Sequence, residues 1–165
     1  MRESDKLDGR IHAPGRPSMT AGAWTIPLRL QRLIERGWWP CDEVTARKQH
    51  RHPLVTEAQV RSFASDESTI FFIPPPFQTV AELVPSNERY WRSEMACPAG
   101  ISFEHAVLIG DFGPGSDAPI LLDYRRDALR PSVLRLRFGK SFAENRWMVA
   151  AEDFDAMCRI LRMDQ

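Results

Sequence analysis

The stretch AVLIGDFGPGSDAPILLDY, residues 106–124, constrains the fold more than any other part of the sequence. Two short apolar runs rich in Val, Leu and Ile flank a loop of turn-forming residues, which is typical of strands buried on at least one face. The loop, residues 111–117, contains two glycines that tolerate positive φ, a proline with a fixed φ, and polar side chains that bond nearby amides. The sequence therefore predicts a β-hairpin.

Three functional interpretations of this loop compete with a structural turn. A phosphate-binding loop requires a Lys and a Ser or Thr at the start of a helix, whereas this loop leads into a second strand. The triplet Asp111-Phe112-Gly113 matches the magnesium-binding triplet of protein kinases, but the chain is too short for a kinase and lacks the other kinase motifs. A calcium site that uses Asp111 and Asp117 misses the EF-hand spacing. We therefore favour a structural hairpin loop.

Composition limits the classes of function open to the chain. Its 165 residues, 43% of them hydrophobic, correspond to one globular domain. Lys plus Arg and Asp plus Glu both number 22, so no overall field attracts a nucleic acid or an anionic membrane, and we expect neither partner. No apolar run approaches the length of a membrane span, and the polar start MRESDKLDGR lacks the apolar core of a signal peptide. We expect a cytoplasmic protein.

Cysteine and histidine usage adds to this expectation. The three cysteines are widely spaced and odd in number, unlike the disulfide framework of a small secreted domain, which favours a reducing compartment. Cys41 with His50 and His52 suggests a zinc site, but no further paired Cys or His completes four ligands. We therefore expect no metal and no other cofactor.

The composition of the N-terminal residues differs from that of the rest of the chain. Residues 1–22 alternate charges with glycine and proline and offer few apolar side chains to offset the entropy of ordering. They are predicted to form a flexible tail, with a basic arm for nucleic acid as the less favoured alternative. Residues 23–165 are predicted to form a single domain.

Two helices are predicted in the N-terminal half. Residues 26–36, IPLRLQRLIER, place apolar side chains at helical spacing, with Thr25 as the N-cap and Gly37 as the stop. Residues 56–64 have the same periodicity and begin with a capping box at Thr56. Both helices should pack an apolar face on a core.

The middle of the chain is less regular. Two adjacent tryptophans, Trp38 and Trp39, either cap the core or form a binding platform, and we favour the core. Residues 69–73, TIFFI, are predicted to form a strand that the following prolines end. Residues 79–83 and 87–91 have weak helical patterns.

The C-terminal part returns to clear patterns. Residues 132–139, SVLRLRFG, alternate an apolar face with a face that carries Arg135 and Arg137, which either meets an acidic partner or is simply solvated. A short strand over 147–149 and a helix over 151–162 follow. The apolar stripe of this helix consists of Phe154, Met157, Cys158 and Leu161. Cys158 is interpreted as a small hydrophobe because it lies on that stripe.

An ordered series of motifs in the C-terminal part resembles a known family. The motifs are GDFGPGSDAP at Gly110 to Pro119, Leu122-Asp123-Tyr124, Pro131-x-Val133, Trp147, and a closing helix with Phe154. Together they resemble the SUKH superfamily over residues 103–163, and more faintly at Ile26-Pro27. The resemblance implies an α+β fold: a mostly antiparallel β-sheet with helices packed on it, N-terminal helices and one closing C-terminal helix. Many bacterial members are immunity proteins that bind and block polymorphic toxins.

Two functional hypotheses of different class remain. The first, which the resemblance implies, is a non-catalytic module that neutralises a cognate toxin domain by stoichiometric binding. Its candidate contact residues are Arg135, Arg137, Asp111 and Asp117. The second is a small hydrolase that uses Asp111 or Asp117 with His105, but no nucleophile elbow or other catalytic motif supports it. We favour the binding module.

Overall fold

A five-stranded antiparallel sheet with helical segments on both faces forms the centre of the protein, and a two-stranded ribbon precedes it. The computed structural model describes residues 19–113 and 118–163. The strands are β1 (Thr20–Ala21), β2 (Trp24–Thr25), β3 (Phe71–Phe72), β4 (Ala106–Asp111), β5 (Pro119–Asp123), β6 (Ser132–Arg137) and β7 (Arg146–Ala151). The helices are α1 (Leu28–Glu35), α2 (Glu43–Lys48), α3 (Glu57–Phe63), α4 (Val80–Leu83), α5 (Glu88–Trp91) and α6 (Phe154–Ile160). The predicted α+β class is confirmed.

The predicted hairpin is confirmed as β4 and β5, the centre of a sheet ordered β3-β4-β5-β6-β7. The pairing places Val107 opposite Leu122 and shifts register between Leu108 and Gly110. After β4 the chain turns at Gly113, whose φ of +91° is accessible to glycine at little cost. Loop residues 114–117, Asp117 among them, lie outside the described residues.

One face of the sheet, here called the helical face, packs against α1, α3 and α6. Its buried side chains from these helices and from the C-cap of α6 include Leu30, Leu33, Val60, Phe63, Phe154, Met157, Cys158 and Leu161. The predicted stripe of the closing helix is thus confirmed, and burial raises the pKa of the Cys158 thiol to about 12, in keeping with an inert hydrophobe. Trp39 is also buried there and donates its indole N–H to the Ile73 carbonyl at 2.8 Å, whereas Trp38 is exposed. The core interpretation therefore holds for Trp39 alone.

The opposite face, here called the turn face, is covered by residues 79–103. This segment contains α4, α5 and three short 3₁₀ turns, Val84–Ser86, Glu94–Ala96 and Pro98–Gly100. Trp91 is buried in this cover against sheet residues that include Leu121 and Leu134. The weak helical patterns at 79–83 and 87–91 are confirmed as α4 and α5.

Burial of both faces corrects the prediction for β6. Arg135 was expected on an open face opposite the apolar one, but Arg135 and its neighbour Leu134 are both buried. Alternation along a strand shows that successive side chains point to opposite faces, and it does not show which elements cover each face. Only Arg137, at the end of the strand, is exposed.

Caps decide where the helices begin. The predicted capping box at α3 is confirmed, because the Gln59 amide N–H donates to the Thr56 hydroxyl and the Gln59 side chain accepts from the Thr56 N–H. Thr25 is not the cap of α1, since it lies in β2 and Pro27 occupies the N-cap position without a side-chain bond. The α6 cap is Asp153, which accepts from the Ala156 N–H at 2.7 Å.

The free edge of β3 is closed by a glutamine side chain. Gln49, just after α2, donates its amide to the Phe72 carbonyl and accepts from the Phe72 N–H, both at 2.9 Å. The amide thereby occupies the position of a neighbouring strand and leaves this edge unavailable for pairing. β3 spans only Phe71–Phe72, which is shorter than the predicted strand over 69–73.

The beginning of the described chain belongs to the folded domain. Residues 1–18 of the predicted flexible tail lie outside the described residues. The last four of that predicted tail contain β1, with Ala21 buried in the core, and the Met19 carbonyl accepts from the Ile26 N–H at 2.9 Å. Residues 19–22 therefore belong to the folded domain and not to the predicted tail. Across the described residues, no helix combines the length and apolar character needed to cross a membrane.

Candidate binding site

Arg135, one predicted contact residue, is an internal ion-pair partner. Its side chain donates to Asp66 Oδ1 at 2.6 Å and stacks over the Phe112 ring, with 5.5 Å between the guanidinium carbon and the ring centroid. Only 8% of the side chain is exposed. Arg137 is nearly half exposed and lies 3.9 Å from the same carboxylate. Of the two predicted arginines, therefore, only Arg137 can reach a partner.

The pKa values of the two carboxyl groups near Arg135, those of Asp66 and Glu67, are shifted in opposite directions. Partial burial alone would raise the pKa of Asp66, but the hydrogen bond from Arg135 and the nearby positive charges outweigh it and hold that pKa below its usual value. Burial raises the pKa of Glu67, and the negative charges of Asp66 and Asp111 raise it further. Arg135 Nη1 is buried without a hydrogen-bond partner among the described residues. The charges of Arg135, Asp66 and Glu67 therefore interact with one another at the edge of the core.

The structure separates His105 from Asp111, a pair that the hydrolase alternative would use. His105 precedes β4 and Asp111 ends it, so at about 3.3 Å per residue they are about 20 Å apart. His105 instead has Nδ1 2.7 Å from the Ser102 hydroxyl and packs against Trp24, with 5.0 Å between ring centroids. Asp111 and His105 therefore do not form an acid–base pair, and Asp117 lies outside the described residues.

A groove that the sequence analysis did not identify runs between α1 and the loop at residues 126–131. Its volume is about 760 Å³, and α6 contributes its floor through Phe154. Large apolar side chains stand exposed along it: Leu28 is 60% exposed, Trp38 42% and Leu129 85%. Apolar side chains grouped on a concave surface are typical of interaction sites.

Leu129 is held outward by the local structure of its loop. The Asp127 carboxylate accepts from the backbone N–H groups of Leu129 at 2.8 Å and Arg130 at 3.0 Å. These two bonds lower the pKa of Asp127. Pro131 follows and is buried, which anchors the end of the loop. The exposure of Leu129 is therefore a property of an ordered turn.

Four arginines line the same groove, three of them on α1 and its C-cap. Arg29, Arg32 and Arg36 follow one another at helical spacing, and Arg130 lies across from them. Arg130 pairs with Asp153, and Arg29 lies 3.7 Å from Asp155. Within the described ranges, the side chains of Arg32 and Arg36 are exposed and have no ion-pair or hydrogen-bond partner.

The sequence pattern of α1 explains this arrangement. Leu30 and Leu33 face the core, so the arginines on the other side of the helix point outward, and Leu28 falls off the buried stripe. The sequence could have indicated an exposed apolar residue at Leu28. It could not show that Leu129, which lies far away in the chain, lines the same groove.

Among the described residues, no group of three or more His, Cys, Asp or Glu side chains is placed to hold a metal ion. Comparisons with protein-family models, with curated proteins and with solved structures found no match to this chain.

Proposed function

We propose that this chain is a non-catalytic binding module that neutralises a bacterial protein toxin by occupying its surface in a one-to-one complex. The resemblance to the SUKH superfamily motivates the proposal. The observation that carries it is the groove beside α1, where exposed apolar side chains lie next to Arg32 and Arg36, whose side chains have no partner among the described residues.

The composition of the groove suits protein recognition. Interfaces between proteins are enriched in aromatic residues and arginine at their centres, and a few such residues supply most of the binding free energy. Trp38 and the α1 arginines supply these residue types in one place. The backbone at Leu129 loses little conformational freedom on binding, because its turn is already ordered by Asp127.

The groove supports binding better than catalysis. Its two carboxylates, Asp153 and Asp155, both face arginines, and Asp153 also caps α6. A general acid or base needs a carboxylate or imidazole that is free to exchange a proton with a substrate. The hydrolase alternative, which requires His105 beside Asp111 or Asp117, receives no support from the described geometry.

The test is a titration of the purified protein against the toxin domain encoded beside its gene. Inhibition should saturate at about one equivalent, because occlusion requires one complementary surface. Asp111→Asn tests the hydrolase alternative and should alter protection only through folding or through a lost contact with the partner. Protection at far below one equivalent that Asp111→Asn abolishes, in a protein that still folds, would refute the binding proposal and favour an enzyme.

A further inference from the structure

We infer that the groove beside α1 binds an acidic segment of the partner protein, in which carboxylates pair with Arg32 and Arg36 and an apolar side chain packs on Leu28 and Leu129. This inference rests on the proposed function only for the statement that the partner is a protein. It adds the surface, the chemistry of the bound segment and the residues that recognise it.

The arginine pair is arranged for carboxylates. Arg32 and Arg36 are four residues apart on one side of α1, where side chains lie about 5 to 6 Å from each other. Like charges at this spacing repel each other, and no side chain among the described residues pairs with these two. A guanidinium group binds a carboxylate through two parallel hydrogen bonds. Two carboxylates on one ligand therefore satisfy both arginines and remove their repulsion.

The neighbouring apolar side chains strengthen such pairs. Leu28 and Leu129 line the groove together with Arg32. A ligand side chain packed on them displaces water, and charge pairs in a drier environment attract more strongly than charge pairs in bulk water. Neither the arginine pair nor the exposed leucines alone identify a binding site, but together they select a ligand with both negative and apolar groups.

The groove adjoins a second hollow. This hollow has a volume of about 530 Å³ and is lined in part by Gln31, Glu35 and Ala128. Leu28, Arg32 and Leu129 line both hollows. An extended peptide can therefore cross Leu28 and contact Leu129 along its length.

The distribution of charge favours an acidic peptide over a nucleic acid. Four arginines and two aspartates line the main hollow, so its positive charge is modest and is interrupted by carboxylates. A polyphosphate backbone needs a continuous row of cations, whereas a peptide can place single carboxylates beside single arginines. The equal numbers of acidic and basic residues in the whole chain provide no further attraction for a polyanion.

The first measurement uses a fluorescein-labelled peptide of alternating Glu and Leu as the probe, with the full chain and fluorescence anisotropy. The variant Arg32→Glu with Arg36→Glu should weaken binding by about tenfold or more. Arg51→Glu with Arg89→Glu is the matched control, since it changes the charge equally at exposed arginines outside the groove and should leave affinity within about twofold. Arg32→Gln with Arg36→Gln provides a neutral version, and Leu129→Ala should weaken binding without altering charge.

Competing ligands identify the occupant. The same peptide with Gln in place of Glu should bind the unchanged protein at least about tenfold more weakly. Tighter binding of a labelled single-stranded oligonucleotide than of the acidic peptide, at physiological salt, would overturn the inference in favour of a nucleic acid. Equal loss of peptide binding in the groove variant and in the matched control would also overturn it, because general electrostatics would then explain the result.

A second measurement separates this inference from the proposed function. The groove variant and its matched control are titrated against the toxin domain in the inhibition assay. One-to-one inhibition that the groove variant leaves unchanged would support the proposed function and refute the groove as its site. Specific peptide binding in the groove without inhibition of any toxin would support the groove and refute the proposed function. Loss of inhibition in the groove variant alone would support both.

Discussion

The two faces of the sheet are buried by different kinds of structure. The helical face is covered by α1, α3 and α6, whose apolar stripes form one core with the strands. The turn face is covered by residues 79–103, which form only short helices and 3₁₀ turns. Both covers exclude water, so a sheet can be closed by regular helices or by an irregular segment that places a few large side chains well.

The two covers also differ in their expected stability and in the outer surface that they offer to a partner. A whole helix has an outer side that remains free when its inner side is buried, and α1 uses this outer side to present arginines and Leu28 to the groove. The cover of the turn face has no helix longer than four residues. We therefore expect the helical face to be the more stable of the two and to carry the binding surface.

The largest expected effect tests the helical face. Phe154→Ala removes a buried ring that packs against Trp39 and should lower the free energy of unfolding by about 3 to 5 kcal/mol. Denaturant unfolding monitored by circular dichroism measures this loss. A loss under about 1 kcal/mol, as at surface positions, would show that α6 is not essential to this core.

The matching change on the turn face is Trp91→Ala. Trp91 is buried, so the variant should lose about 3 kcal/mol, the lower end of the range for aromatic truncation, because short turns can collapse around the space. Native-state amide exchange adds a direct comparison: residues 80–100 should exchange before α6, since segments with local hydrogen bonds open most readily. If the amides of both covers exchanged in one step, the expected difference in stability between the two faces would be wrong.

A smaller effect is expected at the buried arginine of the helical face. Arg135→Ala should cost about 1 to 2 kcal/mol, mainly through lost packing on Phe112, because Asp66 is partly exposed and can be rehydrated. Arg135→Met keeps much of the packing and removes a guanidinium with an unsatisfied nitrogen, so its stability should be close to that of the unchanged protein. Equal losses in both variants, measured by thermal unfolding, would show that the charge pair itself stabilises the fold.

The smallest effect concerns Glu67 beside the same cluster. Its pKa is raised in the folded state, so folding favours its protonated form, and the ionised form opposes folding at neutral pH. Glu67→Gln should therefore stabilise the protein by about 0.5 kcal/mol at pH 7. This advantage should shrink as the pH falls through the raised pKa of Glu67, because the side chain then takes up a proton in the folded chain. An advantage that does not change with pH would exclude ionisation as its cause.

Local features of the fold were predictable from the sequence alone. The β4–β5 hairpin, the capping box at Thr56 and the apolar stripe of α6 each depend on residues within a few positions of one another. Turn chemistry, capping and periodicity act over the same short range, so the sequence carries enough information to specify them.

Tertiary structure decided the features that depend on distant neighbours. The alternating pattern of β6 is compatible with an open or a covered face, and only the packing of other elements made Arg135 an internal residue. The proximity of His105 and Asp111 in sequence did not bring them together, because an extended strand carries them to opposite ends. The groove joins Leu28 to Leu129 across most of the chain. Such a surface forms only when the whole core has folded, because neither segment contains information about the other's position.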